Sequence, residues 1–172
     1  MKSGPVGRLE ASLETLADVV ASLSPDQYRT VPDDFPSSVG EQVRHCLDHL
    51  SALASGLETG RIDYDVRRRG SPVERDQTAA LVMLAMISDR IKSLEPADLD
   101  GSITVVDRID PFSEPVEMVS SIRRELAFVM SHTTHHMALV DLMVKSFGVE
   151  TPEGLGFGAS TLAWLDSLAG SA

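Results

Sequence analysis

The sequence is poor in cysteine and in positive charge. Cys46 is the only cysteine among 172 residues, which excludes an internal disulfide framework and suits a reducing compartment. Fifteen Lys and Arg against 26 Asp and Glu give a formal net charge of −11. So acidic a protein lacks the basic residues that displace counterions from nucleic-acid phosphates or that bind anionic lipid surfaces. We therefore expect neither a nucleic-acid partner nor a membrane partner.

Long hydrophobic runs are also missing. No uncharged apolar stretch approaches the roughly 18 residues that a transmembrane helix needs. The N-terminal segment has no apolar run of signal-peptide length, because the amphipathic stretch at 9–23 carries Glu10, Glu14 and Asp18. A content of 42% apolar and 24% charged residues is typical of a globular protein. We expect one cytoplasmic domain over residues 1–172.

Apolar residues at helical spacing predict four long helices. The first runs from about residue 6 to 23, the third from about 71 to 94, and the fourth from about 119 to 147. The second should begin after Ser38, because Ser38 and Glu41 have the spacing of a capping box, and should end at Gly60. Four such helices predict an all-α four-helix bundle.

Two segments outside the long helices have their own patterns. Residues 102–106 favour β structure, and Pro111 and Pro115 prevent a continuous helix. We therefore expect an irregular segment or a short hairpin before the fourth helix. After a loop at 154–158, a short C-terminal helix is predicted at about 160–168, with Phe157 and Trp164 packing on the bundle.

All five histidines lie near the middle of two predicted helices. His132 and His136 are four residues apart on the fourth helix, so both imidazoles can face one ion. His45 and His49 have the same spacing on the second helix. Three or four imidazoles could converge in the core and leave one coordination position open, as in catalytic metal sites. The alternative is a set of solvated or hydrogen-bonded core histidines, because such pairs also occur by chance.

Two motifs resemble those of a known family. The segment 38–45, Ser-Val-Gly-Glu-Gln-Val-Arg-His, followed by Asp48, resembles the second-helix motif of the DinB-like superfamily. The run 132–136 resembles the fourth-helix motif, and it is particularly similar to the branch that contains YfiT, metal-dependent hydrolases and thiol transferases. The resemblance implies a DinB/YfiT-type four-helix bundle with a metal ion on His45, His132 and His136.

The ligand set retains one alternative. His49 lies closer to the apolar stripe of the second helix than His45 does, so it could replace His45 or support the ligands by a hydrogen bond. His135 is interpreted as a neighbour of the site. Neutral imidazoles suit zinc or nickel, and also other first-row divalent ions.

The resemblance implies an enzyme that acts on a small-molecule substrate. Metal-bound water would give a hydrolase, whereas a metal-bound low-molecular-weight thiol would give an S-transferase. A non-catalytic bundle stabilised by the ion, such as a stress-response dimer, is the alternative. A homodimer is compatible with either function, and the sequence assigns no catalytic residue.

Four other residues merit attention. Arg67 and Arg68 belong to a basic cluster on the loop after the second helix, where they could bind an anionic group at the rim of the site or be solvated. Cys46 adjoins His45 but lies on the apolar side of its helix, which favours a buried thiol over a nucleophile. Glu125 lies seven residues before His132 and could accept a hydrogen bond near the site, or be exposed.

Overall fold

Helices make up most of the chain, which a computed structural model describes over residues 4–170. Six α-helices occur in this part of the chain: α1 (Pro5–Ser22), α2 (Pro25–Arg29), α3 (Val39–Thr59), α4 (Gln77–Lys92), α5 (Ile122–Ser146) and α6 (Ala159–Ala169). Single 3-10 turns are formed by Pro72–Glu74 and Pro96–Asp100. The strands are β1 (Arg61–Asp63), β2 (Ser102–Asp107) and β3 (Val116–Ser121).

The core lies between the four long helices. Helix α3 packs against α4 and α5, and α1 packs against the same two helices. Their inward faces carry fully buried aliphatic side chains, among them Leu9, Leu50, Ile91 and Val129. The predicted mostly helical fold is confirmed. None of the helices within residues 4–170 combines the length and the apolar composition needed to cross a bilayer.

Helix α3 begins and ends where the sequence predicts. The Ser38 hydroxyl accepts a hydrogen bond from the Glu41 amide at 3.2 Å, and the Glu41 carboxylate accepts one from the Ser38 amide at 2.8 Å. Gly60 ends the helix in the left-handed conformation with φ of 73°. These caps fix the axial position of the two histidines on α3.

A three-stranded sheet with the order β1-β2-β3 adds to the helical fold. The predicted hairpin is confirmed as the antiparallel pair β2–β3. Strand β1 runs parallel to β2, with Ile62 opposite Val105, and this strand was not predicted. The all-α class is corrected to a mostly helical fold with a small sheet. Three residues are too few to show an alternating pattern, so β1 was interpreted as part of a polar loop.

Three boundaries and contacts differ from the predictions. Helix α4 begins at Gln77 rather than near residue 71, because the preceding 3-10 turn is separate and the Asp76 side chain caps α4 at the Thr78 amide, 2.8 Å away. Helix α5 begins at Ile122 rather than near residue 119, because residues 119–121 still pair with β2. The predicted packing of Trp164 is wrong, since this residue is 60% exposed, whereas Phe157 lines a cavity together with residues of α1 and α5.

Candidate metal centre

Three imidazoles from α3 and α5 meet at the contact between these helices. Ring nitrogen atoms of His45, His132 and His136 all lie within 4.8 Å of one another. The ring centroid of His45 is 4.9 Å from that of His132 and 4.5 Å from that of His136. One helical turn separates the two α5 histidines, and the packing of α3 on α5 supplies the third ring. The three side chains are therefore close enough to bind one ion.

These imidazoles are neutral at pH 7. Burial, followed by the neighbouring His136 and His49, lowers the pKa of His45 to about 4. Burial, followed by His49 and His45, lowers the pKa of His132 to about 3. Burial, followed by His132, lowers the pKa of His136 to about 4. Neutral rings keep a free lone pair, which a metal ligand requires.

The two α5 histidines differ in their hydrogen bonding. His136 Nδ1 donates to Gln42 Oε1 at 2.6 Å, which orients the ring and leaves Nε2 with a free lone pair. His132 Nε2 is buried, and within residues 4–170 it has no hydrogen-bond partner. Buried polar atoms normally have a partner, so this nitrogen is available to coordinate a cation. Sequence reasoning missed Gln42, although it lies one turn before His45 on the same helix.

His49 lies behind this group rather than in it. Its ring is 3.8 Å from the ring of His132 and nearly parallel to it, with 30° between the planes. Its Nδ1 is 3.2 Å from the backbone oxygen of His45. The side chain is buried, whereas His45, His132 and His136 are half-buried. His135 is exposed, with its ring 5.2 Å from that of His136.

Two aromatic rings that sequence reasoning missed, those of Tyr64 and Phe128, pack against the histidines. The ring of Tyr64 stacks on His49 at 5.5 Å, and Phe128 lies 6.0 Å from His132. Phe128 could have been found from its spacing, one turn before His132 on α5. Tyr64 follows the unpredicted strand β1 and had no sequence signal.

Glu125 is fully buried, so of the two alternatives for this residue, a hydrogen-bond acceptor or an exposed side chain, the second is wrong. Its carboxylate accepts hydrogen bonds from Tyr64 Oη at 2.9 Å, Ser120 Oγ at 2.5 Å and Arg124 Nη1 at 2.8 Å. The charge of Glu125 adds to burial in raising the pKa of Tyr64. Glu125 therefore binds the ring of Tyr64 through its hydroxyl and makes no hydrogen bond with a histidine in the described part of the chain.

The two arginines of the loop after β1, Arg67 and Arg68, differ in burial and in their contacts. The Arg67 guanidinium is half-buried and donates to the Tyr64 carbonyl. Tyr64 stacks on His49, so this bond holds Arg67 beside the cluster. After burial and the neighbouring histidines, the positive charge of Arg67 also lowers the pKa of His45 and His132. Arg68 is exposed, and its guanidinium contacts Met83 Sδ on α4 at 3.7 Å.

A buried ion network holds this loop against α3. Arg44 donates to Glu74 at 2.9 Å and to Asp48 at 3.0 Å, and Asp48 also accepts from the Arg68 amide at 3.3 Å. Cys46 is buried next to this network, and burial raises the pKa of its thiol to about 12. Its interpretation as a buried thiol is confirmed.

Comparisons with known proteins agree with this architecture. The family model of the DinB superfamily matches residues 8–140. A crystal structure of a DinB-like protein, YjoA from Bacillus subtilis, is similar to this chain with a TM-score of 0.64 at 18% sequence identity. The similarity covers 88% of this chain and 97% of YjoA. The comparison with curated proteins found no match. The chain belongs to the DinB superfamily.

Proposed function

We propose that this chain is a divalent-metal-binding protein with a DinB-type four-helix bundle, and that it is a metal-dependent thiol S-transferase or hydrolase. His45, His132 and His136 hold the ion. The observation that carries the proposal is the convergence of three neutral imidazoles within 4.8 Å, one of which has a buried nitrogen without a partner among the described residues.

The donor chemistry favours a particular class of metal. Three nitrogen donors suit zinc or nickel, whereas magnesium and calcium prefer oxygen ligands. The hydrogen bond from His136 to Gln42 is of the kind that orients metal-binding imidazoles in other proteins. The residues present therefore fit a zinc or nickel ion.

A bound divalent ion would lower the pKa of water or of a thiol enough to give a nucleophile at neutral pH. The chain itself would supply orientation and charge. Arg67, next to the histidines, would bind a carboxylate or phosphate of the small-molecule substrate or of a low-molecular-weight thiol, and Arg68 would add positive charge further out. The buried Arg44 network keeps the loop of these arginines in place.

Metal analysis of protein purified without an affinity tag tests the metal site. We expect one zinc or nickel ion per chain and loss of the ion in the double variant His132→Ala/His136→Ala. His135→Ala is the matched control, because His135 is exposed on the same helix and should leave binding unchanged. A wild-type protein without stoichiometric metal, or a double variant that binds as well as wild type, would refute the proposal.

Turnover distinguishes an enzyme from a metal-stabilised bundle. The metal-loaded protein is incubated with a low-molecular-weight thiol and an electrophile, and separately with ester substrates. Turnover that depends on the metal and falls in Arg67→Ala supports the enzyme. A large rise in melting temperature with metal, without any turnover, supports the non-catalytic alternative.

A further inference from the structure

A set of aromatic rings connects the candidate metal site to a buried carboxylate. His49 packs its ring against His132 at 3.8 Å, and it also stacks on Tyr64 at 5.5 Å with 23° between the planes. Tyr64 in turn donates its hydroxyl to Glu125 at 2.9 Å. Residues of α3, of the loop after β1 and of α5 are thereby joined in one contact chain.

His49, Tyr64 and Glu125 are each fixed by a hydrogen bond. The Glu125 carboxylate is fully buried and is also bonded by Ser120 Oγ and Arg124 Nη1, so it cannot rotate away from the Tyr64 hydroxyl. His49 Nδ1 is fixed by the backbone oxygen of His45 at 3.2 Å. The planes of both rings are therefore determined by hydrogen bonds as well as by packing.

His132 depends on this support more than His136 does. His136 is oriented by Gln42, whereas His132 Nε2 has no hydrogen-bond partner in the described residues. The orientation of His132 must then come from the rings behind it, and the closest of these is His49. A phenylalanine at position 64 would fill the same volume without burying a hydroxyl and a carboxylate, so packing alone does not account for the Tyr64–Glu125 pair.

We propose that Tyr64, held by Glu125, is a positioning residue of the metal site: it fixes the ring of His49 and, through this ring, the orientation of His132. This inference rests on the proposed metal-binding function. It assigns to Tyr64 an effect on metal affinity and on the geometry of the bound ion, beyond an effect on folding.

The test compares Tyr64→Phe, which keeps the ring and removes the hydroxyl, with Tyr28→Phe. Tyr28 is a matched control, because it is also fully buried and donates its hydroxyl to the Val73 carbonyl at 2.6 Å. It makes no ring contact with the histidines in the described part of the chain. Zinc affinity is measured by competition with a chelator, and the Co²⁺-loaded proteins are compared by their visible absorption spectra.

We expect zinc binding about tenfold weaker in Tyr64→Phe, with a changed Co²⁺ spectrum, because removal of outer partners typically weakens metal binding about 10- to 100-fold. Tyr28→Phe should lower the melting temperature while leaving both metal readouts at wild-type values. Metal-free melting curves verify that each variant is folded. Wild-type zinc affinity and spectrum in Tyr64→Phe would overturn the inference alone, whereas a wild-type protein that binds neither zinc nor nickel would overturn the proposed function as well.

Discussion

Substitution of Gly40 by alanine should destabilise the protein at the start of α3. A Cβ atom at Gly40 would lie 2.1 Å from the backbone oxygen of Glu74 and 2.8 Å from a ring carbon of Tyr28. The 3-10 turn Pro72–Glu74 would have to move by about 1 Å, and with it the Val73 carbonyl that accepts from the Tyr28 hydroxyl. Overpacking of this kind costs about 1–3 kcal/mol. Loss of the buried hydrogen bond adds about 1–3 kcal/mol.

Helix propensity acts in the opposite direction, because alanine is about 1 kcal/mol more favourable than glycine inside a helix. We therefore expect a net loss of about 3 kcal/mol in the free energy of unfolding, which lowers the melting temperature by about 6–12 °C in a chain of this size. Urea unfolding and calorimetry of the metal-free protein measure the effect.

Gly158→Ala serves as the control for Gly40→Ala. An added Cβ at Gly158 meets no atom within 4 Å, and its φ of −63° suits any residue. Gly158 is the N-cap of α6, where alanine is less favourable than glycine, so the free energy of unfolding should fall by no more than about 1 kcal/mol. A Gly40→Ala protein as stable as wild type, or more stable, would show that helix propensity dominates and that the close approach of α3 to the turn is not required.

Two further predictions concern buried polar groups. Arg44→Ala should reduce the free energy of unfolding by about 3–5 kcal/mol, because it leaves the buried carboxylates of Asp48 and Glu74 without their cation. Arg29→Ala removes an exposed ion pair and should reduce the free energy of unfolding by less than about 1 kcal/mol. Equal losses for Arg44→Ala and Arg29→Ala in urea unfolding would contradict this prediction. The Cys46 thiol should not react with a disulfide reagent at pH 8 while the protein is folded, because it is 1% exposed and its pKa is raised to about 12. Labelling as fast as in unfolded protein would refute its burial.

Local signals in the sequence predicted most of the helical framework. The capping box of Ser38 and Glu41, with Gly60 at the other end, determines α3 through contacts between near neighbours in the chain. Strand β1 is different, since it pairs with β2, about forty residues away, and its three residues have no pattern of their own. The early start assigned to α4 has a similar cause: Pro72 suits the first turn of a 3-10 helix as well as that of an α-helix.

The choice between His45 and His49 shows what an apolar stripe can predict. The helical angle placed His49 nearer the stripe, and His49 is the more buried of the two, at 4% exposure. The ring of His49, however, packs against the rings of His132 and Tyr64. A site open to a substrate needs nitrogen atoms at the edge of the core, where His45, His132 and His136 are half-buried. Periodicity therefore identified the more buried ring, and the motif identified the ring that lies closest to both α5 histidines as a group.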